Sequence, residues 1–179
     1  RESRASPRSQ ANRSAVIVGS GIGGLQELET QHRIFIEKGH SRVSPFFIPK
    51  LITNMAAGLI AIKYKFRGPN YSISTACATS NHAFNDAYRT ILRGEADIVV
   101  CGGSEAAVTP LGVSGFANMK ALSTRNDAPE KASRPYDKDR DGFVIAEGAG
   151  VLILESEEHA KKRGAKIHAE FIGGGQTCD

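Results

Sequence analysis

Ala15-Val16-Ile17-Val18 is a short unbroken apolar run, the pattern of a strand buried on both faces, and it leads into the glycine-rich turn Gly19-Ser20-Gly21-Ile22-Gly23-Gly24. Leu25 to Lys38 then reads as a helix, closed by Gly39. Pro45 and Pro49 flank Phe46-Phe47 in what the pattern predicts to be a loop, and a second helical run from Leu51 to about Lys65 carries the small residues Ala56, Ala57, Gly58 and Ala61. After Gly68-Pro69 the period becomes two, with Tyr71, Ile73 and Thr75 on one face and Ser72 and Ser74 on the other, so a strand is expected there. From Ala78 the spacing is helical again: Ala83, Ala87 and Ile91 recur beside Phe84, Tyr88 and Leu92 until Gly94. Asp97 to Cys101 and Val151 to Leu154 read as buried strands, and Ala169 to Ile172 as the start of a third. Strands alternating with helices indicate a layered α/β fold with a mainly parallel sheet, and no internal repeat is visible.

The strand-to-helix corner at Tyr71–Asn81 contains Cys77, set among small residues. A cysteine at or just before a helix N-terminus meets backbone N–H groups without helical partners and the positive end of the helix dipole. The same groups can hold an oxyanion, so Cys77 is the candidate nucleophile.

Composition narrows the class. With 179 residues, 40% hydrophobic and 23% charged, the chain is long enough for a substantial core. Its apolar runs stop short of the ~18 residues that a membrane-spanning helix needs, and no signal-peptide layout is present, so a soluble protein without membrane contact is expected. The net charge of +4 invites a nucleic-acid reading, but Arg1, Arg4, Arg8 and Arg13 all lie in the polar leader, residues 1–14. The rest is near neutral and shows no phosphate-tracking stripe, which argues against nucleic acid. The leader itself could be a loop between elements, a processed tail or added sequence. Three cysteines, Cys77, Cys101 and Cys178, are too few for a disulfide framework or zinc site, and Cys101 reads as a buried filler at a strand end.

Other motifs have competing explanations. Gly19, Gly21 and Gly24 fit G-x-G-x-x-G between a strand and a helix, yet the second strand with its acidic end is missing, because Glu37 lies within a helical run. Asp137 to Gly142 copies half a calcium loop, but position twelve is Gly148 and Arg134-Pro135 argues against the flanking helix; a charged turn held by its own contacts is the expectation. His82 lies five residues after Cys77, about 140° around the helix, and so points away from it. His32, His40, His159 and His168 read as surface or packing residues. No metal or cofactor is expected.

GPNYSISTACATSN resembles the nucleophile segment of the β-ketoacyl-[acyl-carrier-protein] synthases, the elongating type I/II condensing enzymes of bacteria and plastids. SPFFIPKLITNMAAG, CGGSEAAVTPLGVSGF, ALSTRND, KASRPYDKDRDGFV and EGAGVLILE resemble further motifs of that family in its order, with Ala146 where glycine is more usual. The resemblance runs from about Val16 to Asp179. It implies a thiolase-like layered α-β-α fold, with residues 15–179 forming part of the N-terminal half of a protein more than twice as long. It implies decarboxylative Claisen condensation of an acyl-Cys77 thioester with malonyl-acyl carrier protein, with the Cys77 N–H in the oxyanion hole. By motif position, Ile22, Phe47 and Phe116 would line the acyl pocket, and Arg42 and Lys120 would face the acidic carrier protein. The family works as a homodimer, which this reading pairs through the strand at Ile98 to Cys101. Two histidines required beside the thiolate would lie outside this segment, leaving it inactive by itself. The compartment would be the plastid stroma for a plant or alga, and otherwise the bacterial cytoplasm. The rival readings are a silent ketosynthase relative of a polyketide system, disfavoured by the intact Cys77, and a nucleotide-binding module.

Overall fold

Ser14–Gly19 forms the first strand, β1, and all six of its residues are buried. An element buried on both faces needs a layer on each, and the alternation of its side chains shows what those layers are. Ala15 and Ile17 join Ala83 and Ala87 from the helix Thr79–Leu92, together with Val99 and Cys101. Val16 and Val18 point the other way, onto Ala57 from the helix Met55–Tyr64, with Ala56, Ile60 and Ala61 around it. The result is three layers, helix, sheet and helix. Alanines at the contacts let the helix backbones approach the sheet closely.

The computed structural model describes residues 7–178, which divide into two compact units. The first comprises residues 7–22, 52–105 and 149–178. It holds the sheet, made of β1 with β2 (Asn70–Tyr71), β3 (Ile98–Glu105) and β4 (Gly148–Glu155), in the order β2-β1-β3-β4. β2 and β3 both run parallel to β1, with Ile17 opposite Tyr71 on one side and Cys101 on the other. β4 runs against β3: Asp97 meets Ser156, Cys101 meets Leu152 and Gly102 meets Gly150, in reversed order. The α/β class and the mainly parallel sheet read from the sequence are therefore present.

The second unit comprises residues 23–51 and 106–148. Its helices are Leu25–Lys38, Phe47–Leu51 and Pro110–Asn118. Gln31, buried on the first, donates to Glu27 and accepts from the Ser44 backbone N–H, which fastens the following loop. Glu29 accepts the Leu111 N–H at the start of the third, whose N-cap is Thr109, with Pro110 at the first helical position.

Several expectations need correction. The strand expected through Thr75 stops at Tyr71, where the chain crosses over Gly19 and the Ile73 carbonyl occupies the space a side chain there would take. The helix expected from Leu51 to Lys65 is two helices separated at residues 52–54, and the supposed proline loop contains the first of them, Phe47–Leu51. Ala169 to Ile172 forms no strand; this stretch lies along the helix Thr79–Leu92, with Phe171 against Tyr88. The dimer edge assigned to Ile98 to Cys101 is also wrong, because β3 has β1 on one side and β4 on the other and offers no free backbone edge. Among the described residues the sheet ends at β2 and β4. Of the leader, residues 1–6 lie outside the described residues. Pro7–Asn12 is a helix, Ser14 opens β1, and the Arg13 guanidinium donates to both carboxylate oxygens of Asp97.

Candidate active site

The chain between Tyr71 and Thr79 makes a sharp corner. Ala76–Ala78 forms one turn of 3-10 helix that runs directly into Thr79–Leu92, so Cys77 sits one residue before that helix's N-cap, and it is exposed. Ala76 carries φ +48°, a left-handed conformation that is costly for a residue with a Cβ. Thr79 holds it there. Its buried hydroxyl donates to the Ala76 carbonyl at 2.7 Å and accepts the Thr75 N–H at 2.9 Å, closing a ring around the cysteine. A strained residue beside an exposed cysteine is thus locked by a buried side chain.

The glycine turn lies against this corner. Ser74 donates to the Gly21 carbonyl at 3.2 Å, and a Cβ on Gly21 would meet the Ala76 carbonyl oxygen at 3.3 Å. The spacing of Gly19, Gly21 and Gly24 thus has a packing cause: the carbonyls of Ile73, Ala76 and Lys50 fill the space beside them. Ile22, next in the turn, is 42% exposed.

The other candidates belong to the second unit. Phe47 begins a helix and is half-buried, while Phe116 packs edge-on against Phe143, with ring centroids 5.3 Å apart. Arg42 and Lys120 are exposed. Lys120 adopts φ +61° just past the helix Pro110–Asn118, where its N–H and that of Ala121 donate back to the Ala117 and Phe116 carbonyls. Glycine is the usual residue at such a position.

Several other titratable groups have structural partners or are buried. Cys101 is wholly buried in β3, and burial pushes its thiol up to about 12. Asp141 accepts from the Ser123 hydroxyl and the Thr124 N–H, and Arg134 pairs with it; these contacts hold its carboxyl at about 2. Arg134 also donates to the Asp139 carbonyl and Asp139 N–H donates to Asp137, so the charged turn has the internal contacts expected, and Asp141 ties it in addition to Ser123 and Thr124. His159 pairs with Glu155, whose carboxyl lies below its usual range chiefly because Arg163 donates to both its oxygens. Sequence reasoning missed Thr79 and Glu105. The latter was visible only as an acidic residue closing an apolar strand.

The family model for the β-ketoacyl synthase N-terminal domain matches residues 1–160. The chain belongs to this family. It is 58% identical over 169 residues to 3-oxoacyl-[acyl-carrier-protein] synthase 2 of Vibrio cholerae, covering 94% of this chain and 41% of that protein. The chloroplastic 3-oxoacyl-[acyl-carrier-protein] synthase I of Arabidopsis thaliana is also 58% identical, over 93% of this chain and 35% of its own length. Among solved structures, a chain of the AntDE:AntF complex, a type II polyketide acyl-carrier protein with its ketosynthase bound to the hexaketide, superposes with a TM-score of 0.80. It is 36% identical, over 87% of this chain and 40% of that one. The thiolase-like fold follows from this likeness. The chain spans about two fifths of the curated relatives' length, so it carries a β-ketoacyl synthase N-terminal domain and the relatives extend well beyond it. Among the described residues, no helix is long and apolar enough to cross a membrane.

Proposed function

We propose that this domain supplies the nucleophile of a 3-oxoacyl-[acyl-carrier-protein] synthase of fatty-acid elongation, an acyltransferase. The observation that carries the reading is Cys77, exposed on a locked turn at a helix N-terminus within a segment that matches the family. The Cys77 sulfur attacks the carbonyl of an acyl-carrier thioester and expels the carrier thiol, leaving the acyl group on the enzyme. Malonyl-carrier thioester then loses carbon dioxide. The carbanion so formed attacks the acyl-Cys77 carbonyl, and the Cys77 thiolate leaves as the 3-ketoacyl thioester is released. Dividing the exchange this way turns one difficult step into two easier ones. The N–H of Cys77, at the start of the helix, serves as an oxyanion donor.

By motif position, Ile22, Phe47 and Phe116 line the acyl pocket, and Arg42 and Lys120 meet an acidic carrier protein. The two histidines of the decarboxylation step belong, on the same resemblance, to the part of the relatives beyond the matched region. The enzyme acts as a homodimer, with a sheet edge other than β3 at the contact. Relatives from a chloroplast and from bacteria support a plastid stroma or a bacterial cytoplasm as its location.

The complete synthase bearing this domain should form 3-ketoacyl product from acyl- and malonyl-carrier protein, with the acyl group trapped on a peptide containing Cys77. Cys77→Ala should lower turnover by about a thousandfold or more. A Cys77→Ala enzyme of undiminished activity would refute the assignment.

A further inference from the structure

Glu105 closes β3 with its carboxylate turned onto the glycine turn. It accepts the backbone N–H of Gly21 at 2.8 Å and of Ile22 at 2.9 Å, and the Ser20 hydroxyl at 3.1 Å. Three donors from three consecutive residues thus converge on one charged acceptor, an arrangement that fixes both the height and the direction of the turn. On its opposite side the same turn carries the Ser74 hydrogen bond to Gly21 and lies against the Ala76 carbonyl. Residues 20–22 are therefore held between Glu105 and the corner that ends in Cys77. A Cβ on Gly21 would stand 3.0 Å from the Glu105 Oε2 and 3.3 Å from the Ala76 oxygen, so neither side has slack.

We propose that Glu105 is a positioning residue that sets how far Ile22 reaches relative to the acylated Cys77, and so takes part in acyl-length selection. The inference rests on the proposed place of Ile22 in the acyl pocket. Glutamine at this position keeps the shape and can set its one acceptor oxygen on the Gly21 and Ile22 N–H groups while its NH2 donates to the Ser20 hydroxyl, but it removes the charge that strengthens all three hydrogen bonds and reverses the one to Ser20. The hold on the turn is then weaker, and a packed apolar pocket registers small shifts of its lining.

The test uses the complete synthase, with octanoyl- and acetyl-carrier protein as alternative primers and the melting temperature recorded in parallel. Glu105→Gln is expected to lower kcat/KM for octanoyl by about tenfold more than for acetyl. Gly21→Ala, whose Cβ is crowded by Glu105 on one side and Ala76 on the other and so must displace the turn, should change the same octanoyl-to-acetyl ratio. Folded variants with the parental ratio, or with equal losses for both primers, would overturn the proposal. If Glu105→Gln does not fold, an unchanged ratio in Gly21→Ala overturns it alone. Parental enzyme that never acylates Cys77 would overturn the functional reading and this inference together, whereas a working parent with an unchanged ratio overturns only the role of Glu105.

Discussion

At the scale of single residues, environment separates cysteines that share one chemistry. Cys77 stands exposed on a turn, while Cys101 is wholly buried with its thiol pushed up to about 12, so at neutral pH Cys101 is a neutral thiol sealed from solvent. Brief iodoacetamide treatment of folded protein should label Cys77 well before Cys101. Peptide mapping that finds Cys101 modified first would show that the corner is not as described. Lys120 supplies a second case. Its φ of +61° costs a side-chain-bearing residue stability that glycine would not lose, partly offset by glycine's greater freedom when unfolded. Lys120→Gly should therefore stabilise the fold by about 0.5–1 kcal/mol. On the proposed role of Lys120 toward the carrier protein, it should also weaken carrier-protein binding by about two- to fivefold, the range of one exposed charge pair. Calorimetry and a binding titration read the two effects separately. A variant that gains no stability shows that strain at Lys120 is compensated, and one that loses no affinity removes Lys120 from the carrier surface.

At the scale of elements, the loop from Ser123 to Asp141 is closed mainly by one carboxylate. Asp141 accepts from Ser123 and Thr124 and pairs with Arg134, and its carboxyl titrates at about 2 in place of the ordinary 3.8. A depressed carboxylate stabilises the folded state above its unfolded pKa, and that contribution disappears as pH falls through the folded value. Asp141 should thus contribute fully above about pH 4 and lose its contribution between 3.8 and about 2. Comparing acid unfolding of the parent with Asp141→Asn checks this: the stability gap should be constant above pH 4 and shrink below it. A gap that persists at the acid end would mean that the loop is held by something other than the charge.

At the scale of the molecule, β4 stands out. It is an end strand of the sheet among the described residues, yet Val151, Leu152 and Ile153 are 44%, 55% and 66% exposed. An end strand with apolar side chains facing solvent on consecutive positions is a template for association. The isolated polypeptide 1–179 should self-associate, and Ile153→Lys should reduce the mass seen by light scattering. A monodisperse monomer at high concentration would show that these residues are covered in some other way.

The segments legible from sequence were those in which local physics and burial agree. The helices Leu25–Lys38 and Thr79–Leu92 were readable because their periodicity and their closing glycines act within a few residues, and the corner that carries Cys77 because helical spacing sets in directly after it, although the period of two before it makes no strand beyond Tyr71. β1 was readable because a strand covered on both faces must be apolar throughout. What tertiary structure alone decided depends on residues far apart in the chain. Glu105 reaches Gly21 across 84 positions, and Arg13 reaches Asp97 across the same interval, so no local window contains either pair. The order β2-β1-β3-β4, which places β3 inside the sheet, and the early end of β2 above Gly19 also follow from pairing rather than from propensity. A strand's residue pattern records that it is buried, but not which neighbour buries it.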